Sequence, residues 1–97
     1  MVIISKRGLV EFYEVEPKAK EPLLKWYNQT EISDWSNLSD IKKTFNTVDY
    51  VGNDRYVFDI GGNKYRIVAM IHFSTRTLYI KFIGTHKQYD KIDCKTI

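Results

Sequence analysis

Lys64 and Arg66 stand two residues apart in Asn63-Lys64-Tyr65-Arg66-Ile67-Val68, directly after the pair Gly61-Gly62. Side chains alternate along a strand, so both cations project from one face of the strand leaving that turn. Further on, Thr85-His86-Lys87-Gln88-Tyr89-Asp90-Lys91 gathers an imidazole, a phenol, a carboxylate and two ammonium groups. Handling a phosphodiester calls for such groups: fixed positive charge on the phosphate, and side chains that accept and donate protons. Arg66 suits the first task, because a guanidinium meets phosphate oxygens bidentately. Lys64 either neutralises charge or, crowded by other cations, serves as a base. His86 carries the side chain that exchanges protons near neutral pH. Tyr89 would stack on a base or donate to a phosphate oxygen. Asp90 would orient His86 or Lys91, and Lys81 adds to the cationic face that would draw a polyanion. The plain structural alternatives are a surface pair of Arg66 with Asp59, a solvated hairpin lysine, a structural strand-end histidine and an aromatic plug at Tyr89. His72, towards the other end of the sheet, is read as non-catalytic.

These groups need a sheet to hold them. Gly61, Gly62 and Asn63 tolerate positive φ and are flanked by strand formers, so they mark a tight hairpin. Its loop is either Gly61-Gly62 or Gly62-Asn63, which sets the outgoing cations opposite Asp59 or one step diagonal to it. Tyr65, Ile67, Ala69, Ile71 and Phe73 share the core face. Leu78, Ile80 and Phe82 join them across an expected two-residue Thr75-Arg76 turn. The other face then carries Lys64, Arg66, Met70 and His72, followed by Tyr79, Lys81 and Ile83. This register sets Arg66 across from Thr85, with His86 emerging where the strand ends.

The N-terminal half is helical in pattern. Val2-Ile3-Ile4 is a short strand, and Ser5 stands where an N-cap belongs. Leu9, Phe12 and Tyr13 give an amphipathic helix over residues 6–14. Pro17 marks a break near the start of a second helix, with Leu23, Trp26, Tyr27 and Thr30 as its buried stripe and Pro22 in its first turn. Leu38, Ile41, Lys42 and Phe45 suggest a third, with Asp40 at its positive end. Strands are expected over 50–51, 56–60, 64–73 and 78–83. The fold class is α+β, with an N-terminal strand and two to three helices on one face of a mostly antiparallel sheet. Trp26, Tyr27 and Trp35 are read as core.

At 97 residues with 43% hydrophobic content, the chain is expected to be one domain spanning residues 1–97 with one core. A net charge of +3 is a mild bias towards polyanions. The single Cys94 rules out an internal disulfide and a cysteine zinc cluster. No long apolar run marks a membrane span or secretory signal, so the cytoplasm is the expected compartment.

Trp26-Tyr27, Trp35-Ser36, the 38–45 helix, Val51-Gly52, Asn63-Lys64-Tyr65-Arg66 and Thr85-His86-x-x-Tyr89-Asp90-Lys91 together resemble the HigB-type toxins of the RelE/ParE superfamily. The resemblance covers nearly the whole chain. It implies a ribosome-dependent mRNA interferase that cuts the messenger in the decoding site. The implied reaction is metal-free and needs no cofactor: the ribose 2′-OH attacks the adjacent phosphate and releases a 5′-OH. It further implies Lys64, Arg66, His86 and Tyr89 as catalytic residues, with Lys81, Asp90 and Lys91 on the RNA. The implied partners are mRNA, the ribosome and a cognate antitoxin, often one with a helix-turn-helix domain. Two other readings remain open: a ParE-like toxin that binds gyrase without nuclease activity, and a non-catalytic RNA-binding module.

Overall fold

The computed structural model describes residues Met1–Ile97. Its elements run β1 (Val2–Ile4), α1 (Lys6–Val15), α2 (Lys20–Glu31), α3 (Leu38–Thr44), β2 (Asp49–Gly52), β3 (Arg55–Ile60), β4 (Tyr65–His72), β5 (Thr77–Thr85) and α4 (His86–Tyr89). The strands form one sheet in the order β1-β5-β4-β3-β2. All neighbours are antiparallel except β1, which lies parallel to β5. The expected α+β architecture is observed.

Local chemistry explains most boundaries. The Ser5 backbone is extended as an N-cap requires, but its side chain makes no capping bond. Pro17 opens a short 3₁₀ turn that leads into α2. At the start of α3, Asn37 Oδ1 accepts the Asp40 N–H and Asp40 Oδ2 accepts the Ser36 N–H, both at 2.9 Å. The first bond satisfies a donor that the first helical turn would otherwise leave open, and the second ties the preceding residue back to that turn.

The helices cover one face of the sheet. Leu9 of α1, Leu23 and Trp26 of α2 and Ile41 of α3 join Tyr56, Phe58, Ile60, Tyr65, Ile67, Ala69, Ile71 and Leu78 in a single buried cluster. Trp35 stacks on Phe58 at 6.2 Å, and Trp26 and Phe45 meet the same ring edge-on at 5.4 and 5.7 Å. The indole of Trp35 donates to Thr44 Oγ1 at 3.2 Å, so this core aromatic also fastens the end of α3. No helix is long and apolar enough to cross a membrane.

Two details of the β4–β5 hairpin differ from expectation. The connection is not the two-residue Thr75-Arg76 turn, because His72 pairs with Thr77 and residues 73–76 form the link. Phe73–Thr75 make a 3₁₀ turn closed by Arg76 in the left-handed region at φ 52°. Arg76 holds that conformation with its side chain, donating to Asp34 Oδ1 at 2.5 Å, to Ser36 Oγ at 3.1 Å and to the Phe73 carbonyl. The second difference is a β-bulge. Val68 pairs with Phe82 but Ala69 pairs with Ile80, which leaves Lys81 as the extra residue. A bulge shifts every later side chain to the opposite face. Ile83 therefore packs against the core and Phe82 does not, reversing the expected faces.

Candidate functional site

The β3–β4 turn resolves the two loop options. Ile60 pairs with Tyr65 and Asp59 with Arg66, so Gly62 and Asn63 are the central residues. Their φ angles of 65° and 87° are the paired positive values that a type I′ hairpin requires. This register puts Asp59 directly opposite Arg66, and Asp59 Oδ1 accepts from Arg66 Nη1 at 3.0 Å. Asn63 Oδ1 accepts from Nη2 at 2.6 Å. The Arg66 side chain is only 15% exposed, and its Nε is buried with no hydrogen-bond partner. A guanidinium has five N–H donors, so the two anchored ones leave three, of which Nε is buried. Lys64 sits in the turn rather than in the strand, exposed at its surface.

The longer turn moves the register by two residues and the bulge returns it by one, so Arg66 faces Gly84 and not Thr85 as expected. A Cβ at Gly84 would lie 2.5 Å from Phe82 Cζ and 2.7 Å from Gln88 Oε1. The missing side chain lets Phe82 and α4 close over this part of the sheet. The helix α4 was not anticipated. Its signal was present, because Thr85-x-x-Gln88 is a capping box. The Thr85 hydroxyl accepts the Gln88 N–H at 3.1 Å, and Gln88 Oε1 accepts the Thr85 N–H at 2.8 Å.

That box aims the helical turn at the cations. The His86 N–H donates to the Lys64 carbonyl at 3.1 Å, tying the start of α4 to the hairpin. His86 Nδ1 and Asp90 Oδ2 are 3.3 Å apart, so Asp90 orients the ring from one helical turn away. The Tyr89 ring lies 5.1 Å from the Arg66 guanidinium in a cation–π contact, with Phe82 at 6.4 Å on its flank. The Tyr89 hydroxyl donates to Cys94 Sγ at 3.8 Å. Burial pushes that hydroxyl above the usual tyrosine range, the Cys94 contact and Asp49 push the same way, and Arg66 opposes them. At neutral pH Tyr89 is therefore a neutral phenol, a donor rather than a base.

Residues 90–97 then run back across this face to the far strands. Asn53 Nδ2 donates to the Lys95 carbonyl at 2.9 Å, and Arg55 Nε and Nη2 donate to the Ile97 main-chain oxygen at 3.1 and 2.5 Å. On the face so covered, Val57 and Val68 are buried although they stand apart from the main core.

The structure thus brings Arg66, Tyr89, His86, Asp90 and the backbone of Lys64 together. Lys91 is exposed just beyond α4. Lys81 is exposed at the bulge, where it borders a groove with Gly8, Glu11 and Phe12 of α1 that reaches Phe82 and Gln88 beside α4. His72 is at the far end of β4, against Tyr79. Asp59, which the sequence offers only as a partner of the cations, belongs to the site through its bond to Arg66. Asn63, Gly84 and Cys94 went unanticipated as neighbours of Arg66 and Tyr89.

Residues 19–92 match the model of the HigB toxin family, described as the RelE-like toxic component of a toxin–antitoxin system. The chain is 32% identical to the mRNA interferase toxin HigB of Escherichia coli strain K12, over 93% of this chain and 88% of the relative. It is also 32% identical to the mRNA interferase HigB of Escherichia coli O6:H1, over 95% and 91%. The mRNA interferase HigB of Shigella flexneri is similar at 32%, again over 93% and 88%.

Proposed function

The chain belongs to the HigB family of RelE-like toxins, and from that premise we propose that it is an mRNA endoribonuclease acting on translating ribosomes. The observation that carries this reading is the Arg66 guanidinium, fixed by Asp59 and Asn63 and faced by Tyr89. A pre-oriented cation with free N–H groups suits a phosphate that gains charge in its transition state.

The ribose 2′-oxygen attacks the neighbouring phosphorus in line while a base takes its proton. The bond from phosphorus to the 5′-oxygen breaks, and that oxygen takes a proton from an acid. The products are a 2′,3′-cyclic phosphate and a free 5′-hydroxyl, with no metal taking part. Arg66 carries the charge on the pentacoordinate phosphate, and Tyr89 donates to a phosphate oxygen or stacks on a base. His86, oriented by Asp90, and Lys64 share the two proton transfers. Lys81, Asp90 and Lys91 contact the RNA around this centre. A cognate antitoxin, with a helix-turn-helix domain as one common form, keeps the toxin silent in the cytoplasm.

The test is a primer-extension map of a reporter mRNA. It compares naked RNA plus EDTA with a translating extract whose magnesium is intact. Cuts in codon register that appear only during translation, and vanish in Arg66→Ala and His86→Ala, are the expected result. Cuts in both samples would make the protein a free ribonuclease. No cuts in either, from a protein still toxic to cells, would turn the reading to gyrase.

A further inference from the structure

A second concave site lies round the β3–β4 turn from Arg66. The chain leaving α3, the side of α2 and the end of β3 enclose a cleft of about 400 Å³, bordered among others by Lys25, Trp26, Gln29, Asn46, Thr47 and Asp59. Its size falls in the ~300–1,000 Å³ range of small-molecule sites. Only 3 of its 12 lining residues are hydrophobic, so an occupant must be held by hydrogen bonds rather than by apolar burial. Trp26 is 2% exposed, and its indole N–H is buried with no hydrogen-bond partner. A buried donor without a partner in the protein favours one from outside the chain, ordered water included. By contrast, the other indole, Trp35, is satisfied by Thr44.

The cleft is joined to the catalytic cluster through one residue. Asp59 borders it and also holds Arg66 at 3.0 Å. An RNA strand whose scissile phosphate rests on Arg66 would reach this space round the β3–β4 turn, where Ile60, Gly61 and Gly62 border the cleft. The side-chain amides of Gln29 and Asn46 each offer a donor and an acceptor, the pattern that reads the edge of a base. Lys25 supplies the positive charge for the phosphate that follows. We propose that this cleft holds the nucleotide next to the scissile phosphate and sets the base preference at that position. The proposal rests on the reading of Arg66 as the phosphate site.

The two tryptophans make it directly measurable, because each indole N–H gives one signal in a ¹H–¹⁵N spectrum. The probes are 2′-O-methylated RNA trinucleotides, which cannot be cleaved, differing in a single base. At least one should shift the Trp26 signal strongly and the Trp35 signal less. Its affinity should fall about tenfold in Asn46→Ala, an exposed position whose truncation spares the core. The same substitution should relax the base distribution at one position beside the cuts. Trinucleotides that leave Trp26 unmoved, an Asn46→Ala protein that binds and cuts with unchanged preference, or an equal Trp26 shift with pyrophosphate alone would each overturn the proposal. Arg66→Ala separates it from the catalytic reading. If that variant keeps the Trp26 shift and also keeps cleaving, the role of Arg66 falls while the nucleotide subsite stands.

Discussion

The two faces of the sheet are held by different physics. On the helix side, Phe58 touches Trp26, Trp35 and Phe45, and Leu9, Leu23, Ile41 and Ile67 are fully buried around it. That face is apolar, redundant and indifferent to salt. On the other side, the cover is one short helix and the run 90–97, and its contacts are an ion pair, a cation–π contact and hydrogen bonds accepted by an amide oxygen and a thiol. One face carries the stability of the domain, and the other spends its few ordered contacts on orienting charge. A loosely roofed face is also the one that a nucleic acid strand can enter.

Substitutions on the two faces should therefore fail in different ways. The largest effect expected is Phe58→Ala, which opens a cavity at the meeting point of three rings and should cost about 3–5 kcal/mol in urea unfolding. A loss below 1 kcal/mol would mean that this face is not the anchor. Arg66→Ala should show the reverse profile. Removing one preorganised charge-stabilising group typically costs about 10²–10³ in rate. Cleavage of translated mRNA should fall on that scale while the urea midpoint moves little. A collapse of stability instead would make the Asp59 pair structural.

Gly84→Ala sharpens the contrast, because it crowds only the open face. The new methyl must displace the Phe82 ring or pull Gln88 out of its capping box, costing about 1–3 kcal/mol. Activity should drop further than stability, as α4 carries His86 and Tyr89; equal losses would argue against a role for α4 in orienting them.

The smallest and broadest effect is on pH. Burial pushes Tyr56, Tyr65 and Tyr89 above the usual tyrosine value of 10.0. The unfolded chain ionises near pH 10 while the folded chain holds its protons. Stability is thus whole below pH 10 and falls as pH rises through the folded values. Denaturant titrations from pH 8 to 11 should show a decline that begins near 10, and Tyr89→Phe should make it shallower. A flat profile would mean that these phenols are not held by burial.

Much of this was legible in the residues. The Gly61-Gly62-Asn63 run marks a hairpin because its residues tolerate positive φ, but it leaves two registers open, and the structure takes the one that opposes Asp59 to Arg66. The stripe Leu23, Trp26 and Thr30 on α2, and Ile41 on α3, were readable from helical spacing. The bulge was not. In Leu78-Tyr79-Ile80-Lys81-Phe82-Ile83 both alternating phases end in an apolar residue, so periodicity cannot say where a residue is skipped. The face of Phe82 depends on Tyr89, and that of Ile83 on the helix-covered core.

What the amino-acid sequence determined by itself is local: turn types, helix faces, caps and the presence of Lys64, Arg66, His86 and Tyr89. These follow from backbone sterics and from spacing within a few residues. Tertiary structure alone decided that β1 joins β5 in parallel, that Gly84 stands opposite Arg66, and that Tyr89 folds over the guanidinium. Each of those depends on long-range packing, where several registers satisfy the same local rules and only burial against the rest of the molecule selects one.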